Sequence, residues 1–117
     1  MKSDPSCVFC KIVAGEFPLK KVLKEEGFLA IKDIQPIASG HSLVFSVNHY
    51  SDPAQMPEEE RGRLFNFAFK VAKEVAGRSY NLLVCSDEIA QSSVPHRPHI
   101  HVIPRRVGDN LHLDPRT

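Results

Sequence analysis

Apolar and polar positions divide the chain into strand-like and helix-like segments. Alternation or short apolar runs of the kind found in strands occur in five segments: Lys20–Glu26, Phe28–Asp33, His41–His49, Tyr80–Cys85 and a final histidine-containing run. Gly27 separates the first two and predicts a tight turn there, because glycine accepts backbone angles that other residues avoid. The pattern therefore predicts a five-stranded sheet joined mostly by hairpins.

Two segments have helical character. A short helix is predicted around Cys7 and Cys10, with Gly15 as its C-terminal stop. A longer helix is predicted between Pro57, which suits the first helical position, and Gly77, which suits a terminator. Strands joined by hairpins together with two helices indicate an antiparallel α+β fold. Without an internal repeat or linker, the chain (residues 1–117) is expected to form a single domain.

The long helix carries two neighbouring apolar stripes. Their members are Leu64, Phe67, Ala68, Val71 and Val75 in the first stripe, and Phe65, Phe69, Ala72 and Ala76 in the second. Together they cover more than the ~100° face that packing on one sheet requires. A second copy of the chain is the preferred partner for the extra surface. The alternative is a wide stripe buried entirely within one subunit.

The final strand carries the candidate chemistry. His99 and His101 lie two positions apart and therefore share one face of a strand. His96 has the opposite parity, and a β-bulge at Pro98 would return it to the same face. The pattern favours a polar, imidazole-lined site over a strand end with incidental histidines.

Composition narrows the class of protein. The chain has 15 basic and 14 acidic residues and a formal net charge of +1, which offers no electrostatic case for a nucleic-acid or membrane surface. No apolar run approaches the ~20 residues of a membrane span, and the N-terminus lacks a signal-like stretch. A cytoplasmic protein is the expectation, and its three cysteines are then expected as thiols or metal ligands.

Cys7 and Cys10 form a C-x-x-C motif that has several interpretations: a redox pair, half of a zinc site, or two core cysteines. The βαβ context of a thioredoxin-like motif is missing. A structural zinc site needs four nitrogen or sulfur ligands, and His49 and His96, each at an element end, would complete it. We expect such an ion to fix the N-terminal helix to the sheet.

His99 and His101 suit phosphoryl chemistry. A neutral imidazole, with an unperturbed pKa of ~6.5, is an available nucleophile at neutral pH, so His99 could attack a phosphorus atom. His101 is placed to hold the non-bridging oxygens and assist the leaving group. Ser92 or Ser93 could add a hydroxyl donor. His41 either orients one imidazole or is a capping or packing residue.

Three segments together resemble the histidine triad (HIT) family of nucleotide-binding hydrolases and transferases: CVFCKIVAGEFP, FLAIKDIQPIASGHSLVFSVNH and SVPHRPHIHVIPR. They cover the chain to about Arg105 in the family's order. The resemblance implies a homodimer with a five-stranded antiparallel sheet per subunit. It also implies binding of a purine nucleotide such as AMP or GMP, and cleavage of a phosphoanhydride or phosphoramidate at the α-phosphorus.

The resemblance also implies roles for individual residues. His99 matches the nucleophile, His101 the histidine that contacts the phosphate, and His41 a supporting histidine. Asp33 matches the residue that holds the ribose hydroxyls. The apolar base pocket corresponds to Val8, Phe9, Ile12, Ile31 and Ile34. In the zinc-containing branch the ligands are Cys7, Cys10, His49 and the first triad histidine.

Four positions depart from the family pattern. The triad reads H-R-P-H-I-H, so either His96 with one bulged residue or Arg97 holds the first position; the upstream SVP favours His96. In the preceding loop Gln91 stands at a usual glycine and Ser92 at a usual glutamine. Cys85 stands where an asparagine commonly meets the ribose or phosphate. These departures concern catalysis rather than the fold.

Three functions follow from these observations. The leading hypothesis is a hydrolase of nucleoside phosphoramidates or nucleotidyl esters that forms a nucleotidyl-His99 intermediate, with zinc in a structural role only. The second is a catalytically weak or inactive nucleotide-binding or scaffold protein. The third is a zinc-stapled interaction module without nucleotide affinity.

Overall fold

The computed structural model describes residues 8–15, 21–50, 52–85 and 98–113. In chain order the elements are helix α1 (Val8–Val13), strands β1 (Lys21–Glu25), β2 (Phe28–Lys32) and β3 (Ser42–Ser46), a 3-10 turn (Pro53–Gln55), helix α2 (Glu58–Val75), and strands β4 (Tyr80–Cys85) and β5 (His99–Pro104). The predicted α+β fold, with one short and one long helix, is confirmed. Within these residues no helix is long and apolar enough to cross a bilayer.

The five strands form one antiparallel sheet in the order β1-β2-β3-β5-β4. β5 therefore lies between β3 and β4, although β4 precedes it in the chain. In this register His101 faces Leu43 of β3, and His99 faces Cys85 of β4. This strand order places the histidine-containing strand β5 inside the sheet and leaves β4 at an edge.

The two faces of the sheet pack against different helices. Side chains on one face, including Phe28, Val44 and Ile100, form a core with α2, where the ring of Phe67 stacks on Phe28 at a centroid distance of 5.9 Å. The opposite face forms a second cluster with α1, consisting of Cys10, Ile12, Leu29, Ile31, Leu43 and Phe45. Because alternate residues of a strand face opposite sides, the histidines of β5 lie on the α1 side.

Several element boundaries differ from the sequence-based expectation: β1 ends at Glu25 rather than Glu26, β2 ends at Lys32 rather than Asp33, and β3 begins at Ser42 rather than His41. α2 begins at Glu58, so Pro57 precedes the helix rather than occupying its first position. β3 ends at Ser46, three residues before the predicted end at His49. The Ser46 hydroxyl accepts a hydrogen bond from the Asn48 backbone N–H at 3.2 Å, which turns the chain out of the sheet.

The two apolar stripes of α2 have different environments. Leu64, Phe67, Ala68 and Val71 of the first stripe are buried, as is Ala72 of the second. Phe65 and Phe69 of the second stripe are 40% and 50% exposed. The helix therefore buries one stripe within the subunit and presents two phenylalanines outside this core.

Gly40 and Gly62 provide a matched test of this packing. Gly40 has φ +89°, and a Cβ there would lie 3.1 Å from the Val75 carbonyl oxygen and 3.2 Å from Cγ of Pro104. Gly62 lies within α2, with no heavy atom within 4 Å of such a Cβ. We expect Gly40→Ala to lower the free energy of unfolding by about 1–3 kcal/mol. Gly62→Ala should raise it by about 0.5–1 kcal/mol.

Urea denaturation of both variants beside the wild type measures these differences. A Gly40→Ala variant as stable as the wild type would contradict the close packing of this loop against the end of α2.

Candidate functional site

The site forms where β2, β3 and β5 bring three histidines and one aspartate together. Asp33 directly follows β2, and His41 directly precedes β3; the Asp33 backbone N–H donates to the His41 carbonyl oxygen at 3.0 Å. β5 pairs with β3 and places His99 and His101 alongside, with ring centroids 4.8 Å apart. The structure brings the rings of His99, His101 and His41 next to one another.

The imidazoles contact one another in a line. His41 Nε2 lies 2.9 Å from His101 Nδ1, and His101 Nε2 lies 3.1 Å from His99 Nε2. The Asp33 carboxylate flanks the line, with Oδ2 3.3 Å from His41 Nε2 and 3.8 Å from His101 Nδ1. Both ring nitrogens of His101 are therefore engaged.

One backbone donor determines the proton positions along this line. The Ile37 N–H donates to His41 Nδ1 at 3.2 Å, so the His41 proton resides on Nε2. His41 Nε2–H then donates to His101 Nδ1, and His101 Nε2–H donates to His99 Nε2. In this arrangement of neutral rings, the Nε2 lone pair of His99 accepts. We refer to the three histidines His41, His101 and His99, joined in this order, as the imidazole chain.

The protein environment favours the neutral forms of His101 and His41. The pKa of His101 is lowered to about 4, mainly by burial and then by the nearby His99 and His41 rings, while the Asp33 carboxylate opposes the shift. Burial also lowers the pKa of His41, with Asp33 again opposing. A protonated ring carries a proton on both nitrogens, so one of its N–H groups would face the N–H of the neighbouring ring. The hydrogen bonds between the rings therefore require neutral imidazoles.

The loop between β2 and β3 holds Asp33 and His41 in place. Asp33 Oδ1 accepts from the Gln35 N–H at 2.9 Å, which leaves Oδ2 directed at the histidines. The Ser42 hydroxyl donates to the Gly40 carbonyl oxygen at 2.8 Å. The role of Asp33 toward a ribose stays a prediction, because the contacts seen here are with imidazoles and the loop backbone.

The predicted base-pocket residues occupy different environments. Ile12 and Ile31 are 5% and 2% exposed in the cluster beneath α1, whereas Ile34 is 78% exposed in the loop after β2. Val8 and Phe9 belong to α1, but their side chains lie outside the described part of the chain. The structure thus places Ile12 and Ile31 in one apolar layer and Ile34 away from it.

Two of the four predicted zinc ligands lie together. Cys10 Sγ is 3.3 Å from His49 Nδ1. Zinc bonds of ~2.3 Å to sulfur and ~2.0–2.1 Å to nitrogen, at a tetrahedral angle, require a separation of ~3.6 Å. The sulfur and nitrogen therefore fit one tetrahedral ion after a small adjustment. Cys7 and His96 lie outside the described residues.

Several other predicted features also fall outside the described residues. Ser92, Ser93 and Arg97 belong to the range 86–97, and so does the choice between His96 and Arg97 as the first triad position. The bulge expected at Pro98 adjoins this range. From His99 onward the pairing with β4 continues without a register shift.

Cys85, singled out in the sequence as a departure from the family pattern, lies beside the site. It pairs with His99 across β4 and β5, and one ligand atom each from Cys85, His99 and His101 lie within 4.8 Å of one another. Burial raises the pKa of the Cys85 thiol. The parity of β4 was readable from the sequence, but the register between β4 and β5 was not. The role of the Ile37 amide was not readable from the sequence either, because it depends on the shape of a loop.

Comparisons with known proteins agree with this fold. A family model described as HIT domain matches residues 14–108. An uncharacterised HIT-like protein of Methanocaldococcus jannaschii is 38% identical over 109 residues, covering 88% of this chain and 81% of the relative. The chain therefore belongs to the HIT family, as the sequence motifs predicted.

Two further similarities bear on function. An adenosine 5'-monophosphoramidase of Saccharomyces cerevisiae is 35% identical over 103 residues, which cover 88% of this chain and 65% of that enzyme. The crystal structure of a Zn-bound histidine triad family protein from Mycobacterium smegmatis superposes with a TM-score of 0.81 at 34% identity. That match covers 95% of this chain and 84% of the other.

The proton positions can be tested by replacing His41. His41→Ala removes the donor to His101 Nδ1, so we expect the His101 ring to lose its fixed Nε2–H tautomer. His41→Gln supplies an amide N–H in place of Nε2–H and should retain it. Long-range ¹H–¹⁵N spectra of the rings at neutral pH distinguish the tautomers. An unchanged His101 signature in His41→Ala would show that His41 does not fix the proton.

Proposed function

We propose that this protein hydrolyses nucleoside phosphoramidates or related nucleotidyl esters at the α-phosphorus, through a nucleotidyl-His99 intermediate. The observation that carries the proposal is the imidazole chain, which directs a lone pair onto His99 Nε2. A neutral nitrogen with a fixed lone pair is the form of imidazole that can attack phosphorus.

The reaction runs in two displacements. His99 Nε2 forms a bond to phosphorus as the phosphorus–nitrogen bond to the leaving amine breaks, and the amine leaves with an added proton. His101 Nε2–H, which contacts His99 Nε2 at 3.1 Å, supports this step by donating to a phosphate oxygen or to the leaving group. Water then attacks the nucleotidyl-His99 phosphorus and gives up one proton, which replaces the proton carried off by the amine. The phosphorus–His99 bond breaks, the nucleoside monophosphate leaves, and His99 returns to its neutral form.

The substrate class is supported by the yeast relative. That protein is an adenosine 5'-monophosphoramidase, and it shares 35% identity with this chain. We infer that this chain takes a purine nucleotide of the AMP or GMP kind. In this proposal Asp33 binds the ribose; Val8, Phe9, Ile12, Ile31 and Ile34 contribute to the base site; and Ser92 and Ser93 donate to the phosphate.

A second function is favoured by the burial of the proposed nucleophile. His99 is 1% exposed, so phosphorus reaches it only if neighbouring groups move. A protein in which they do not move would bind a nucleotide without turning it over. Rapid mixing with an adenosine phosphoramidate separates the two functions, since a burst of amine release excludes the inactive form.

We also propose a structural zinc site. The residues that would hold the ion are Cys7, Cys10, His49 and His96, and the 3.3 Å separation of Cys10 Sγ from His49 Nδ1 supports the inner half of this set. A zinc ion bound there would link α1 to the segment after β3. No step of the proposed hydrolysis passes through it.

The exposed apolar surface supports a homodimer. Phe65 and Phe69 of α2 are 40% and 50% exposed, and Val84 of the edge strand β4, which faces the α2 side of the sheet as its partner Ile100 does, is 46% exposed. An apolar depression between α2 and β4, lined in part by Phe65 and Val84, joins the two elements into one surface. A second copy of the chain is the proposed partner for this face.

Replacing His99 tests the nucleophile. His99→Ala should lower turnover of an adenosine phosphoramidate by on the order of 10³-fold or more, because the covalent route is lost. His112→Ala changes an exposed histidine outside the site and serves as the control. Mass spectrometry of wild type quenched during turnover should find one nucleotidyl group on the peptide containing His99. Turnover retained by His99→Ala would remove this residue from the nucleophile role.

Replacing Phe69 tests the dimer. Phe69→Glu places a charge on the apolar face and should weaken association by about 30-fold or more, since loss of a buried aromatic anchor costs about 2 kcal/mol. Val107→Glu, at a fully exposed position outside α2 and β4, is the control. Sedimentation equilibrium measures both, and equal dimer affinities would locate the interface elsewhere.

A further inference from the structure

We propose that Cys85, His99 and His101 form a second metal site, one that takes a Zn²⁺-class ion directly at the proposed nucleophile. It is distinct from the structural site assigned to Cys7, Cys10, His49 and His96.

The sheet register brings the three ligands together. Cys85 pairs with His99 across β4 and β5, and His101 lies two residues along the same face. One ligand atom from each lies within 4.8 Å of the others. Two imidazoles and one thiolate are ligands that zinc binds, and three protein ligands leave a fourth position open.

The two imidazoles are already spaced for coordination. His99 Nε2 and His101 Nε2 are 3.1 Å apart. Two zinc–nitrogen bonds of ~2.0–2.1 Å at a tetrahedral angle place their nitrogens ~3.3 Å apart. An ion therefore replaces the proton between these nitrogens with a shift of only a few tenths of an ångström.

The displaced proton has an acceptor. Coordination at His101 Nε2 moves its proton to Nδ1, which lies 3.8 Å from Asp33 Oδ2, so the ring and the carboxylate must approach by several tenths of an ångström to form a hydrogen bond. His41 Nε2–H then donates to the same carboxylate oxygen, at 3.3 Å. A metal-bound histidine that donates its other N–H to a carboxylate is a common arrangement in zinc sites. Thiolate formation at Cys85 releases the single proton that leaves the protein.

A second cluster, formed by Asp33, His41 and His101, fits an ion less well. Its atoms also lie within 4.8 Å of one another. However, the His41 lone pair on Nδ1 is already occupied by the Ile37 N–H, and an ion on His41 Nε2 would require that proton to move against the backbone donor. In the cluster containing Cys85 the opposing donor is His41 Nε2–H, a side-chain group that also lies 3.3 Å from Asp33 Oδ2 and can turn to it, rather than a fixed backbone amide.

The consequence for function rests on the hydrolysis proposed above. The ion and the phosphorus atom both require the His99 Nε2 lone pair, so they exclude each other. A bound ion should therefore inhibit hydrolysis reversibly, and a chelator should restore it.

Cobalt(II) provides a spectroscopic probe for the site itself. The chain has three cysteines, so a Cys7→Ser/Cys10→Ser variant retains Cys85 as its only thiol. We expect Co²⁺ to produce a thiolate-to-cobalt charge-transfer band in this variant and none after the further change Cys85→Ser. Because loss of Cys7 and Cys10 could unfold the chain, zinc content is also measured in otherwise wild-type protein. There Cys85→Ser should reduce the bound zinc by one ion per chain.

Inhibition is measured separately from binding. Zinc should inhibit turnover of an adenosine phosphoramidate in wild type, with the inhibitory concentration raised by at least about tenfold in Cys85→Ser, since even outer-shell losses cost about 10–100-fold in metal affinity. If turnover is absent with and without chelator while the cobalt band appears, the proposed hydrolysis fails and the metal site stands. Equal zinc content in wild type and Cys85→Ser, without a cobalt band from Cys85, would overturn the site.

Discussion

The hydrogen bond from the Ile37 N–H to His41 Nδ1 is the constraint on which the rest of the site depends. A backbone amide can only donate, whereas an imidazole can exchange its two tautomers. This bond therefore determines which nitrogen of each ring carries the proton and in which direction the hydrogen bonds run. Burial supports it, because it lowers the pKa of His41 and His101 and keeps both rings in the neutral form that the line requires.

The order of the strands makes this line possible. Since β5 lies between β3 and β4, its histidines have a neighbour on each side: His41 before β3 and Cys85 at the end of β4. A strand at the edge of the sheet would have only one. The same strand order leaves β4 exposed at the edge, where Leu83 and Val84 contribute apolar surface. The position of the site and that of the proposed subunit interface therefore both follow from the order of the strands.

Much of the fold was predictable because it depends on local patterns. Alternation identified the strands, and Pro57 and Gly77 bracketed α2 to within two residues. The parity argument correctly placed His99 and His101 on one face. The end of β3 was misjudged, since Ser46 and Asn48 form a side-chain turn that hydropathy does not report.

The less predictable part of the site depends on register and loop geometry. Cys85 could be assigned to a strand but not placed opposite His99, because pairing between β4 and β5 is a long-range property. The Ile37 amide carries no side-chain signal at all. Ile34, which the family resemblance assigned to the base pocket, is 78% exposed, and its role stays a prediction.

The close packing of Gly40 has a mechanical meaning for the molecule. This residue precedes His41 and lies against the Val75 carbonyl at the end of α2 and against Pro104 at the end of β5. The turn carrying His41 is thus packed between the C-terminal end of α2 and the C-terminal end of β5. A force applied along α2, for instance by a partner seated on its outer surface, would be transmitted to the alignment of the His41 ring.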